Sequence, residues 1–234
     1  MPAPTGSPVP AGFWQRGAAW SIDAALIAPV ALLLAWPWIA GSLQAWSGQA
    51  EALLQRAGGG MGAAIMDGVP LPLLANSLLR DPAIKGAIAA LESNSWSLLW
   101  PLVLAFALIG AGYHVGCECS PRQATFGKRL LGMRVHAHDG RRLSAGRALA
   151  RHGAGALSWA TLNLGHLMAT AAPQHLALHD RCSGTRVVSN TAAGLPGWAY
   201  AWLGLLALAG VGLSAWIATA AAAIMRTALE QALF

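Results

Sequence analysis

Two charged side chains interrupt the first long apolar stretch of the sequence, and they set its chemical question. Within Phe13–Trp38, FWQRGAAWSIDAALIAPVALLLAWPW, Arg16 and Asp23 stand in a segment otherwise long and apolar enough to cross a bilayer. A charge at membrane depth costs at least ~2.5 kcal/mol on insertion scales, so such residues mark functional or ion-paired positions. They stand seven positions apart, a spacing that returns almost to the same face of a helix. At about 1.5 Å rise per residue, their Cα atoms still stand roughly 10 Å apart along the axis. Arg16 therefore reaches toward Asp23 without neutralising it alone, and a third partner is expected from elsewhere in the chain or from solvent. The competing reading has Arg16 snorkelling to the headgroups, with Asp23 just inside the interface.

The rest of the sequence must position these charges inside a membrane. Of 234 residues, 56% are hydrophobic and only 10% charged, against about a quarter charged in a soluble domain. This is the composition of an integral membrane protein. The net charge of +6 would suggest nucleic acid in a soluble domain; next to spans, basic residues report topology instead, and no nucleic-acid partner is expected. Cys117, Cys119 and Cys182 are too few and too uneven for a disulfide framework. Residues 1–12, MPAPTGSPVPAG, read as a flexible Pro-rich tail without the basic region and cleavage site of a signal peptide.

The expected fold is an all-α polytopic membrane protein with three full transmembrane helices, a re-entrant or fourth span, and a small cytoplasmic β element. The first span runs over about 13–40. Residues 41–95 form a long non-cytoplasmic connection with one to three short amphipathic helices, broken at GGGMG and DGVPLP. The second span is 96–115. The stretch 116–152 holds eight Lys/Arg against three in 41–95, which places it in the cytoplasm with the N-terminus. Within it, LLGMRVHA and HDGRRLS read as a strand, a tight Asp139–Gly140 turn and a return. Residues 153–172 have two readings: a full crossing, or two half-length helices turning back near Asn163–Gly165. If the strand-like Thr185–Ser189 pairs with Leu131–Ala137, both lie on one side, and the hairpin (about 150–172) is favoured. Residues 190–234 supply the last span, Trp198–Met225, and a tail.

Taken together, Arg16 and Asp23 at their spacing, TFGKRLLGMRV and HDRCSGTRVV resemble the RDD family of multi-pass membrane proteins, named for one arginine and two aspartates. On that resemblance the set is Arg16, Asp23 and Asp180, within a domain spanning 13–189. Thr125, Gly127, Lys128, Asp139–Gly140, Arg151, His179, Gly184 and Thr185 also match its pattern. The 41–95 connection is longer than usual and the last span lies outside the pattern. The resemblance implies a transport-related role, with cation/proton exchange proposed for some members.

The functional expectation takes Asp23 and Asp180 as a carboxylate pair with Arg16 as the fixed positive partner. An embedded carboxylate that binds either a proton or a small cation is the core of an antiporter. The alternative is a structural ion-pair network in a non-transporting scaffold or assembly factor. His179 either relays a proton or caps a turn. Gly127–Lys128 lacks the remaining glycines of a phosphate loop, so Lys128 is expected to meet headgroup phosphate or an internal acid. The basic stretch 122–151 faces anionic lipid headgroups. His114, Cys117, Glu118, Cys119 and Cys182 form only a loose metal-ligand pattern; no metal, cofactor or enzymatic activity is expected, and a homo-oligomer in the cell membrane is.

Overall fold

The structure, a computed structural model, describes residues 8–190 and 194–234. Its elements in order are β1 (Val9–Pro10), α1 (Phe13–Met66), α2 (Leu71–Arg80), α3 (Pro82–Cys119), α4 (Phe126–Leu130), β2 (Met133–Ala137), α5 (Ala145–Ala160), α6 (Leu164–Leu167), a 3-10 turn at Met168–Thr170, α7 (Leu178–Ser183), β3 (Thr185–Ser189) and α8 (Gly197–Leu233). Among the described residues three helices, α1, α3 and α8, are long and apolar enough to cross a membrane. The protein is an all-α membrane protein carrying a small antiparallel sheet, as expected.

The chain divides into two units: Met1–Ala31 with Phe106–Leu205, and Leu32–Ala105 with Leu206–Phe234. In the first, a three-stranded antiparallel sheet has the order β1-β3-β2. Met133 pairs with Ser189 and Ala137 with Thr185, so the pairing on which the hairpin reading was conditioned is present. Alternation explains it: Met133, Val135 and Ala137 are buried while Arg134 is exposed, the period of a half-buried strand. Met133, Val135 and Val187 pack with Leu131 and with Ala18 and Ala19 of α1. The small α1 side chains let the sheet and α4 approach that helix closely.

Four expectations are corrected here. The tail is not wholly free: residues 1–7 lie outside the described residues, but Val9–Pro10 pairs with β3. β1 is an edge strand, where the missing N–H of Pro10 costs no ladder bond. The turn at Asp139–Gly140 forms, with Gly140 at φ +80°, but β2 takes β3 as its partner. The return after the turn contributes only the bond from Ala137 N to Arg141 O, 3.0 Å. Residues 153–172 are neither one crossing helix nor two half-length helices, since only four residues, Leu164–Leu167, form the second. The chain leaves α5 through Leu162 and Asn163, both at positive φ, and turns back into the four-residue α6, so the reversal falls at Asn163 as the hairpin reading placed it.

The fourth correction concerns the spans, whose helices run past the expected ends. α1 is 54 residues long, more than twice what a crossing needs. Residues 41–66 continue it without forming a separate amphipathic helix, and α3 starts at Pro82, well before 96. In the second unit the run GGGMG does not break α1. A Cβ at Gly58 would lie 2.8 Å from Ala228 Cβ, and one at Gly62 would lie 2.4 Å from Ala232 Cβ on α8. Each glycine costs about 1 kcal/mol of helix propensity, offset by the helix contact that only a bare Cα permits. The real break is Asp67–Pro70, with Gly68 at φ +68°. α3 begins where Asp81 Oδ1 accepts from Ala83 N, 2.7 Å, ahead of Pro82 in the first turn.

Candidate functional site

α1 presents Arg16 and Asp23 to different partners. Asp23 is buried and takes three hydrogen bonds. Thr125 Oγ1 donates to Oδ2 at 2.6 Å. The Gly127 amide, 2.8 Å away, and the Tyr113 hydroxyl, also at 2.8 Å, donate to Oδ1. Two of the donors come from the first turn of α4, whose N-cap Thr125 also accepts from Lys128 N at 3.4 Å. Tyr113 on α3 in turn accepts from Phe126 N at 2.9 Å. A carboxylate from α1 thus satisfies amide and hydroxyl donors that would otherwise be orphaned at a helix start. The glycine in TFGK has a steric reason: a Cβ at Gly127 would sit 2.2 Å from Ala19 O. Only glycine lets α4 lie this close to α1.

Arg16 turns the other way. Its Nε donates to Ala11 O at 3.0 Å, and Nη1 pairs with Asp180 Oδ2. Arg151 Nη1, from α5, pairs with Asp180 Oδ1 and also donates to Thr185 Oγ1 at 2.7 Å. Asp180 Oδ2 further accepts from Ala177 N at 2.8 Å, closing the first turn of α7. Gly184 ends that helix at φ +62° and hands the chain to Thr185 at the start of β3. Burial works to raise the Asp180 carboxyl, but Arg151 and then Arg16 outweigh it and hold it well below the usual carboxylate range.

Arg151 extends the network. Its Nε lies 3.3 Å from Glu118 Oε2, and Lys128 Nζ lies 2.7 Å from Glu118 Oε1. The chain Arg16–Asp180–Arg151–Glu118–Lys128 alternates in sign. Asp23 stands outside this chain, held by Thr125, Gly127 and Tyr113 with no ion pair among the described residues. His179 Nε2 stands 3.7 Å from Asp180 Oδ1. Burial foremost, and then Arg151, pushes its imidazole down to about 2, so it stays neutral and packs against His166, ring centroids 5.3 Å apart.

The expected triad is therefore divided. Arg16 and Asp180 meet, but Asp23 pairs with neither of them among the described residues, so Asp23 and Asp180 are not a shared carboxylate pair. The reason is the seven-residue offset: Asp23 lies deeper along α1, level with α4, while Arg16 lies level with α7. Thr125, Gly127, Lys128, Arg151, His179, Gly184 and Thr185 all belong to these two clusters. Lys128 meets an internal acid. Glu118 and Tyr113 were not anticipated in these roles. Their signal was present, since a lone acid at the end of an apolar span calls for a cation. Of the loose metal-ligand pattern, Glu118 is committed to Lys128 and Arg151, and Cys182 is exposed. Among the described residues no three His, Cys, Asp or Glu side chains are placed to hold a metal.

Comparison with known proteins sets this geometry in a family. Over 88 residues the chain is 34% identical to the uncharacterized protein YxaI of Bacillus subtilis (strain 168), covering 38% of this chain and 58% of that protein. The match thus spans little more than half of the relative's length, and no solved structure matches the chain. Residues 10–184, which include Arg16, Asp23, Glu118, Lys128, Arg151 and Asp180, match the RDD family. The chain belongs to the RDD family.

Proposed function

We propose that this integral membrane protein is a non-transporting scaffold, a multi-pass protein of the cell membrane with its N-terminus in the cytoplasm, whose buried charges are a structural clamp. One observation carries the reading: every buried carboxylate in the set is saturated. Asp180 has two guanidinium partners, Glu118 has an ammonium and a guanidinium, and Asp23 has three hydrogen-bond donors. A carrier needs a carboxylate that alternates between a proton and a cation. Here each is already occupied by groups that would have to leave before a cation could enter. The eight basic residues between 116 and 152 against three in 41–95 support the cytoplasmic side for the N-terminus. The clamp would hold the short α5–α7 hairpin to the first span, leaving the apolar faces of the spans for other membrane proteins or for a second copy.

A second reading, a small-cation/proton transporter or a subunit of one, draws on one feature. Asp23 is the one carboxylate of the set without a cation beside it among the described residues, and its Thr125 and Tyr113 neighbours carry oxygen lone pairs. The test is purified protein in liposomes loaded with a pH-sensitive dye. The scaffold predicts no proton release on adding Na⁺, K⁺ or Li⁺, and no difference between the native protein and Asp23→Asn. A saturable release that Asp23→Asn abolishes at unchanged yield and insertion establishes the transport reading. For topology, a single cysteine introduced at Asn190, with the native cysteines replaced, is expected to label from the cytoplasmic side; labelling from outside overturns the assignment.

A further inference from the structure

The first unit carries an apolar cavity of about 500 Å³ that the charge network does not use. Ile22 and Leu26 on α1 form one wall, and Trp198, Trp202 and Leu205 on α8 form the other. Both faces follow helical spacing, and both helices are candidate spans. Leu130, the last residue of α4, also lines the cavity. The shape is fixed rather than incidental, because Trp202 Nε1 donates to Ser21 Oγ at 3.0 Å, pinning the indole of α8 to α1. Leu26, Leu130 and Trp198 are about half exposed, so the groove is open along its length.

The charge next to Leu130 in the chain decides the occupant. Arg129, adjacent to Leu130, is exposed, and its side chain makes no hydrogen bond or ion pair among the described residues. Lys128 beside it is consumed by Glu118, 2.7 Å away. An exposed guanidinium on the residue next to Leu130, beside an apolar groove between two spans, matches a molecule with an anionic head and an extended hydrocarbon tail. A transmembrane helix about 10 Å across would not settle into the groove and would bring no anion to Arg129.

We propose that this groove binds one anionic phospholipid, an acyl chain lying between Leu26 and Trp202 and the phosphate on Arg129. The site does not depend on whether the protein moves anything, and it narrows the general attraction of the basic stretch for anionic lipid to one residue.

The test uses the full chain in an uncharged detergent. Retained lipid is counted by native mass spectrometry, and thermal unfolding is followed with added phosphatidylglycerol, phosphatidylcholine or free glycerol 3-phosphate. Phosphatidylglycerol is expected to raise the unfolding temperature saturably with one lipid retained, phosphatidylcholine to do so more weakly, and glycerol 3-phosphate not at all. Arg129→Gln is expected to weaken phosphatidylglycerol about tenfold, the size of one charge-assisted contact, bringing it level with phosphatidylcholine. Arg134→Gln, equally basic but on β2, is expected to leave the preference unchanged. Ala201 on α8 also lines the groove; Ala201→Phe, which fills it, is expected to lose the retained lipid of either kind, with Leu205→Trp as the stand-in should that variant fail to fold. The proposal is overturned by equal responses to the two lipids, by equal effects of Arg129→Gln and Arg134→Gln, by a response to glycerol 3-phosphate alone, or by lipid retained in the filled groove. A groove-filling variant that changes the oligomeric state without changing lipid retention overturns it in favour of a second copy.

Discussion

Gly127→Ala is the smallest change that attacks the seat of Asp23, and its cost follows from distances. The added Cβ would lie 2.2 Å from Ala19 O and 2.9 Å from Ala19 C. A carbon–oxygen contact belongs at about 3.3 Å, so α4 must retreat by about 1 Å. No side chain can move aside, because the obstruction is the backbone of α1. That retreat stretches the bonds from Gly127 N (2.8 Å) and Thr125 Oγ1 (2.6 Å) to Asp23 past useful length. Overpacking costs about 1–3 kcal/mol, and weakening a hydrogen bond to a charged group costs about 1.5 kcal/mol or more. The sum is about 4 kcal/mol, which for a chain of this size lowers the unfolding temperature by roughly 10 °C. The assay is thermal unfolding of purified protein in detergent, beside Gly153→Ala as a control. An added Cβ at Gly153, within α5, meets nothing within 4 Å, so that variant should unfold within about 2 °C of native or slightly above it. If Gly127→Ala also unfolds within about 2 °C of native, the docking of α4 on Asp23 is wrong.

Other consequences are as open to measurement. Asp180→Asn leaves Arg16 and Arg151 facing each other buried and should cost about 3–5 kcal/mol, whereas Asp23→Asn keeps an acceptor oxygen and should cost about 1–3 kcal/mol; chemical unfolding at neutral pH that reverses this order contradicts the assignment. His179, pushed down to about 2 by burial and then Arg151, stays neutral in the fold but gains a proton near pH 6.5 when unfolded. The unfolded state therefore binds more protons below 6.5, and stability falls with pH by up to about 1.4 kcal/mol per unit from this residue. His179→Gln should flatten the slope of unfolding temperature between pH 6.5 and 4.5, and an unchanged slope excludes the neutral assignment. Asp180, held low, contributes stability above the unfolded pKa of about 3.9 that disappears as pH falls through its folded value. In the second unit, Gly62→Ala should destabilise through Ala232 Cβ, and adding Ala232→Gly should restore stability; failure of the second change to rescue the first contradicts that packing.

Much of the architecture was written in hydropathy and charge. Arg16, Asp23 and the uncharged last span announced a membrane protein, and Leu131–Ala137 and Thr185–Ser189 both read as strand-like, though their pairing was only one of two options beside a local hairpin. Helix ends were less legible, because a helix leaving a bilayer changes its environment without changing its backbone, so apolar length does not report where it stops. The GGGMG run looked like a break since local propensity says so; only the distant Ala228 and Ala232 make it a packing surface. The partners of Asp23 were hidden for the opposite reason. Counting charges directs attention to ion pairs, whereas Asp23 is held by an amide, a threonine and a tyrosine, none of which carries charge. Arg151 was visible as a motif residue, but its bridge between Asp180 and Glu118 depends on the reversal at Asn163.

The central claim is that the buried charges are a structural clamp, and a double-mutant cycle on Arg151 and Asp180 tests it most directly. Unfolding free energies of Arg151→Gln, Asp180→Asn and the double variant, measured in one detergent at neutral pH, give the coupling between the two side chains. The clamp predicts that each single change is severe and that the pair couples by about 1.5–3 kcal/mol, the double variant being less damaged than the sum. Additive effects, or single variants as stable as the native protein, would contradict it.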